Sequence, residues 1–114
     1  MTKGKVVLVP FPFDNLSSTK VRPAVCLTEP IGMHRHVVIA FITSQAHADL
    51  LETDLVIDEQ EAEFIKTGLR VSSTLRLHRL ITVTTSIIQR ELGILPTSMQ
   101  KAVEKSLRKL FDLQ

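Results

Sequence analysis

Apolar positions come in short β-branched runs through most of the chain and switch to helical spacing only at its end. Lys5 to Val9 reads Lys-Val-Val-Leu-Val between Gly4 and Pro10, which predicts a strand. Pro10-Phe11-Pro12-Phe13 cannot donate a continuous ladder, so the strand is expected to end there and turn into a loop. Asp14 to Lys20 has the residues of a polar surface loop. A second strand is predicted over Pro23–Thr28, with Arg22 at its mouth, followed by a turn at Glu29–Gly32. His36–Thr43 is the third strand and the one expected to be most buried. Thr53–Ile57 is a short fourth strand, and Asp58–Lys66 has room for one or two helical turns ended by Thr67-Gly68.

Leu69–Val83 alternates in its middle, with Leu75 and Leu77 on one side and Thr74, Arg76 and His78 on the other. A period of two predicts a half-buried strand. Thr84–Ile88 is expected to make a short helical turn, and Arg90–Leu95 a last extended piece. Met99, Val103, Leu107, Leu110 and Phe111 then recur at helical spacing, opposite Gln100, Lys101, Glu104, Lys105, Arg108 and Lys109. Thr97 and Gln100 have the spacing of a capping box, with Thr97 as N-cap. Short strands followed by one amphipathic helix predict a mostly β (α+β) chain: a small, curled, antiparallel barrel with its helix packed on the sheet.

Composition narrows this without redirecting it. A chain of 114 residues is expected to form one domain over 1–114. The apolar share of 44% and mean hydropathy of +0.16 exclude a disordered chain. Five Phe with no Trp and no Tyr argue against a surface that holds single strands mainly by stacking bases on rings. The net charge of +2 permits an anionic partner without requiring one. Acids crowd between Asp49 and Glu63 and read as a solvated loop, while bases recur at Lys20, Arg22, Arg35, Arg70, Arg76, Arg79 and Arg90. The single cysteine, Cys26, lies in an apolar run and is expected to be a buried structural thiol. A lone cysteine and no apolar run of membrane-spanning length give the expectation of a soluble cytosolic protein with no membrane partner.

The chain has no Gly-rich phosphate loop, no Cys/His zinc pattern and no nucleophile elbow. His34-Arg35-His36 is a close histidine pair without further ligands nearby, so no metal site is predicted. There remain hydroxyls and arginines at strand ends: Arg22; Thr43, Ser44 and Gln45; Arg76 and His78. Arginine forks match phosphate oxygens and hydroxyls add neutral donors, so such a set on one barrel rim suits phosphate. Taken singly, each of these residues is also explained by ordinary surface structure.

The runs Gly-Lys-Val-Val-Leu-Val-Pro-Phe-Pro-Phe-Asp-Asn-Leu from Gly4, Arg-Pro-Ala-Val-Cys-Leu from Arg22 and Ala-Phe-Ile-Thr-Ser-Gln from Ala40 resemble the MazF/PemK family of toxin endoribonucleases. Thr67-Gly68-Leu69, Ser73-Thr74-Leu75-Arg76-Leu77 and Leu92-Gly93-Ile94-Leu95 are similar to that family too, so the resemblance runs through nearly the whole chain in order. It implies an SH3-like barrel, a homodimer, a cognate antitoxin, and cleavage of single-stranded RNA at short motifs, with no cofactor and no metal. It implies Arg22 and Thr43 as catalytic residues. Arg76, His78, Ser44 and Gln45 are further candidates for catalysis or RNA binding, and the loop Ser17, Ser18, Thr19, Lys20 for RNA binding. Some relatives carry an acid where this chain has His78, a side chain that titrates near neutrality. Two other readings stay open: a non-enzymatic gyrase-poisoning toxin on the same barrel, and an inactive relative that binds RNA or antitoxin.

Overall fold

The computed structural model describes residues 1–11, 20–44 and 49–114. Among them, one antiparallel sheet of six strands is followed by one helix: β1 (Lys5–Phe11), β2 (Lys20–Cys26), β3 (His36–Thr43), β4 (Asp54–Ile57), β5 (Ser73–Thr84), β6 (Arg90–Ile94) and α1 (Thr97–Leu110). The spatial order is β4-β5-β3-β2-β1-β6. The sheet curls into a half-barrel, so the expected mostly β architecture stands. Its two edges are drawn together by the 3₁₀ turn Phe64–Thr67, which packs on β6. The contact needs glycine on both sides. A Cβ on Gly93 would lie 2.2 Å from the Lys66 carbonyl oxygen, and one on Gly68, at φ +73°, 2.1 Å from that of Leu92.

Alternation along each strand gives the sheet two apolar faces. One carries Val6, Val25, Ala40, Ile42, Ile57, Leu75 and Leu77 and is closed by Leu95, Val103 and half-buried Met99 and Leu107. The other carries Val7, Val9, Ala24, Cys26, Val37, Ile39 and Phe41, with Ile81, Val83, Ile87 and Ile88 packed against them. β3 contributes to both and is buried over most of its length, as its composition predicts. β5 changes phase midway. Ala40 pairs with Leu80 and Ile42 with Leu75, so five residues of advance on β5 match two on β3. This bulge holds Arg76 to Arg79 and bends the strand.

Several boundaries differ from the sequence expectation. β1 continues through Pro10, which pairs with Val21; β6 pairs only as far as Leu8, so the missing proline N–H is not needed on that side. β2 begins at Lys20 instead of Pro23, so Arg22 lies within the strand and Lys20 is not a loop residue. β5 begins at Ser73 instead of Leu69. The capping box does not form: the N-cap is Pro96, and Thr97 is already helical, too late to cap. Gln100 instead donates Nε2–H to the Leu95 carbonyl at 2.7 Å, stitching the helix start to the end of β6. Phe111 lies just past α1 and is 56% exposed, so it is not part of the buried stripe.

Candidate functional site

Strand register, more than any single side chain, assembles the site. β2 and β3 pair antiparallel as Ala24↔Phe41, Val25↔Ala40 and Cys26↔Ile39. Continued two residues past the last ladder pair, that register puts Arg22 opposite Thr43. On its other side Arg22 pairs with Val9 of β1, and Thr43 pairs with Thr74 of β5, itself opposite Val56 of β4. Paired residues share a face. Val9, Arg22, Thr43, Thr74 and Val56 therefore form one transverse row across five strands, on the face of Val7, Ala24 and Phe41. With strands about 4.8 Å apart, the row from Arg22 to Thr74 spans about 10 Å.

The row marks where the apolar face ends. Val9 is fully buried and Phe41 nearly so, while Arg22 and Thr43 are half-buried. Pro23 confines Arg22 to extended backbone, which keeps it in register. Lys20 and Ser44 are exposed at the same end of β2 and β3. Inward, Ile39, Phe41, Ile81, Val83, Ile87 and Pro10 line an apolar groove of about 240 Å³. A cation and hydroxyls at the end of an apolar groove can hold an anion against a surface that sheds water, where charge-assisted hydrogen bonds are strongest.

Arg76 lies on the same side of β5 as Thr74, as alternation predicts, and it has an acidic partner there. It pairs in register with Asp54, and its Nε lies 3.1 Å from Asp54 Oδ1. The Asp54 side chain is fully buried and that of Arg76 only 16% exposed. Asp54 Oδ2 accepts from the Leu51 N–H at 2.9 Å. Reading the acids between Asp49 and Glu63 as one solvated loop is therefore incorrect for Asp54. Alternation carries no signal for this: Leu55 and Ile57 turn inward, which puts Asp54 on the opposite side of β4, and its burial comes from Arg76 across the ladder. His78 is exposed, within the β5 bulge and beyond the last residue that β4 pairs. Ser17, Ser18, Thr19 and Gln45 lie outside the described residues.

His34 and His36 have ring centroids 5.9 Å apart. No group of three or more His, Cys, Asp or Glu side chains that could hold a metal is gathered among the described residues. Burial pushes the Cys26 thiol up to about 11, which leaves it protonated and unreactive at neutral pH. No helix among the described residues is long and apolar enough to cross a membrane.

An antiparallel half-barrel of six strands with one C-terminal helix defines a class of small, mostly β half-barrel proteins. Within that class the match is specific: the family of PemK-like, MazF-like toxins of type II toxin–antitoxin systems covers residues 2–111, and the chain belongs to it. Comparison with curated proteins returned no match. Among solved structures the chain shares its fold with the Mycobacterium tuberculosis toxin MazF-mt6, at a TM-score of 0.73 and 21% identity over 96% of this chain and 98% of that one. It also shares it with an endoribonuclease in complex with its cognate antitoxin from a mycobacterial species, at a TM-score of 0.73 and 12% identity over 100% and 97% of the two chains.

Proposed function

We propose that this toxin is an endoribonuclease that cuts single-stranded RNA without a metal, and that a cognate antitoxin neutralises it. The observation that carries this reading is the alignment of Arg22 with Thr43. The family resemblance selects these two residues from separate stretches of sequence, and the β2–β3 register, continued two residues past Ala24↔Phe41, sets them side by side on one face, which supports the reading. In the proposed step the ribose 2′-oxygen attacks the neighbouring phosphorus. Its proton passes to a base, the new P–O2′ bond forms, the P–O5′ bond breaks, and O5′ takes up a proton. Arg22 stabilises the charge on the phosphorane oxygens, a role that needs no change in its protonation. Thr43 donates its hydroxyl to the same phosphate and fixes it for in-line attack. Single-stranded RNA crosses the row from Arg22 to Thr74, and unpaired bases are read beside it. The active unit is proposed to be a homodimer.

The test is incubation of the purified protein with a mixed-sequence RNA in EDTA, with Arg22→Ala and Thr43→Ala in parallel and the cleaved ends mapped. Cleavage that resists EDTA and disappears in both variants supports the reading. Absence of cleavage by the wild type returns the chain to the non-enzymatic alternatives, and gyrase inhibition is then the assay. His78, exposed and carrying an imidazole that can both donate and accept hydrogen bonds, is assigned to proton transfer or base recognition. His78→Ala is expected to move the pH profile of kcat or the cleaved motif while leaving Tm unchanged; if profile and motif both stay the same, His78 has no part in cleavage.

A further inference from the structure

The Asp54–Arg76 pair is an expensive way to fill its place. Asp54 sits on a four-residue edge strand, and its carboxylate has no solvent exposure at all. Burying a carboxylate costs more than burying an alkyl group, and a buried ion pair is often no more stable than apolar residues of similar volume. Stability alone therefore does not account for it. The contact is also economical of donors. Asp54 Oδ1 approaches Arg76 at Nε, at 3.1 Å, and these two atoms are close without being aligned as a hydrogen bond. A guanidinium has five N–H donors, and an approach at Nε leaves the four on its terminal nitrogens for another partner. That is the planar fork that matches a phosphate. Arg76 is one strand repeat, about 7 Å, from Thr74 on the same face, so it stands beside the row of Arg22 and Thr43 and not within it.

We propose that Asp54 is a positioning residue: it holds Arg76 by Nε so that the terminal nitrogens grip a second RNA phosphate beside the scissile one. The proposal rests on the reading of the protein as a ribonuclease and adds a phosphate subsite to it. A contact to a phosphate that does not react is made equally in ground and transition states, so it lowers KM without raising kcat.

The experiment is steady-state cleavage of one defined RNA oligonucleotide by the full chain over a salt series, comparing wild type, Asp54→Asn, Arg76→Ala and the double variant. Asp54→Asn is expected to raise KM about tenfold with kcat within about twofold. The plot of log(1/KM) against log[salt] is expected to become shallower by about 0.7, the loss of one phosphate contact on a single strand. The double variant is expected to match Arg76→Ala, because Asp54 acts only through Arg76. A wild-type KM and salt slope in Asp54→Asn would overturn the proposal, as would additive effects in the double variant. If Asp54→Asn does not fold, as judged by circular dichroism, the apolar replacement Asp54→Leu/Arg76→Met is used instead. Folded, with the KM and slope of Arg76→Ala, it supports the subsite; folded with wild-type values, it overturns it. No cleavage of RNA by the wild type would remove the ribonuclease reading itself, and the subsite with it.

Discussion

The two faces of the sheet are built from the same aliphatic residues and end differently. On the helix-covered face the core runs without interruption from Ile57 through Leu75 and Val6 to Leu95, and α1 seals it with Val103 and the Gln100–Leu95 hydrogen bond. On the other face the apolar floor stops at Val9 and Phe41 and gives way to Arg22, Thr43 and Thr74 in one row. The difference separates two demands. The helix-covered face is continuous apolar core, while on the other face a rigid apolar floor ends in a row of half-buried or buried polar groups. Substitutions should divide along the same line.

The largest effect is expected at Arg22. Arg22→Ala should lower kcat about 10²–10³-fold, the usual loss on removing one donor to developing charge, with Tm nearly unchanged. An equal fall in Tm would show that the open face is part of the stability core. Next comes the seam between the edges. Gly93→Ala puts a Cβ 2.2 Å from the Lys66 carbonyl oxygen, and a loss of about 3 kcal/mol in urea unfolding is expected, with KM unchanged in whatever protein remains folded. A loss below about 0.5 kcal/mol would mean that the edges separate freely. Gln100→Ala removes one hydrogen bond on the sealed face and should cost about 1 kcal/mol with no change in cleavage.

The smallest effect is a pH dependence. Glu29 accepts backbone N–H groups from Thr2 at 2.8 Å and Lys3 at 3.1 Å, and these bonds hold its carboxyl below the ordinary glutamate range. A carboxyl whose pKa is lower folded than unfolded contributes stability above the unfolded value. That contribution disappears as pH falls through the folded one. The Tm difference between wild type and Glu29→Gln should therefore be steady near neutrality and shrink below about pH 4.5. A difference that grows on acidification would assign Glu29 another role.

Much of this was legible in the residues. The β-branched runs locate the strands, and the apolar run of β3 accounts for its burial, because periodicity and β-propensity are local properties. The family resemblance singles out Arg22 and Thr43, but only the β2–β3 register, continued past Ala24↔Phe41, sets them side by side. Asp54 was missed because composition groups it with exposed acids, and its burial is decided by a cross-strand partner. The β5 bulge left a trace: Leu75 and Leu77 keep a period of two, then Leu80 and Ile81 are both apolar, a phase slip that local alternation does not explain. Thr97 and Gln100 had the spacing of a capping box, yet Pro96 took the cap, and Gln100 bonded to a carbonyl outside the helix.

Cys26 offers a practical consequence. It is the chain's only thiol, fully buried at the end of β2 within the sheet, and its pKa of about 11 keeps the reactive thiolate scarce while the fold is intact. A thiol reagent at neutral pH should therefore modify the native protein slowly, and only through opening of the central strands. The rate of modification is then a label-free clock for that opening, readable in the natural sequence, and binding of RNA or antitoxin to the native state should slow it in proportion to affinity.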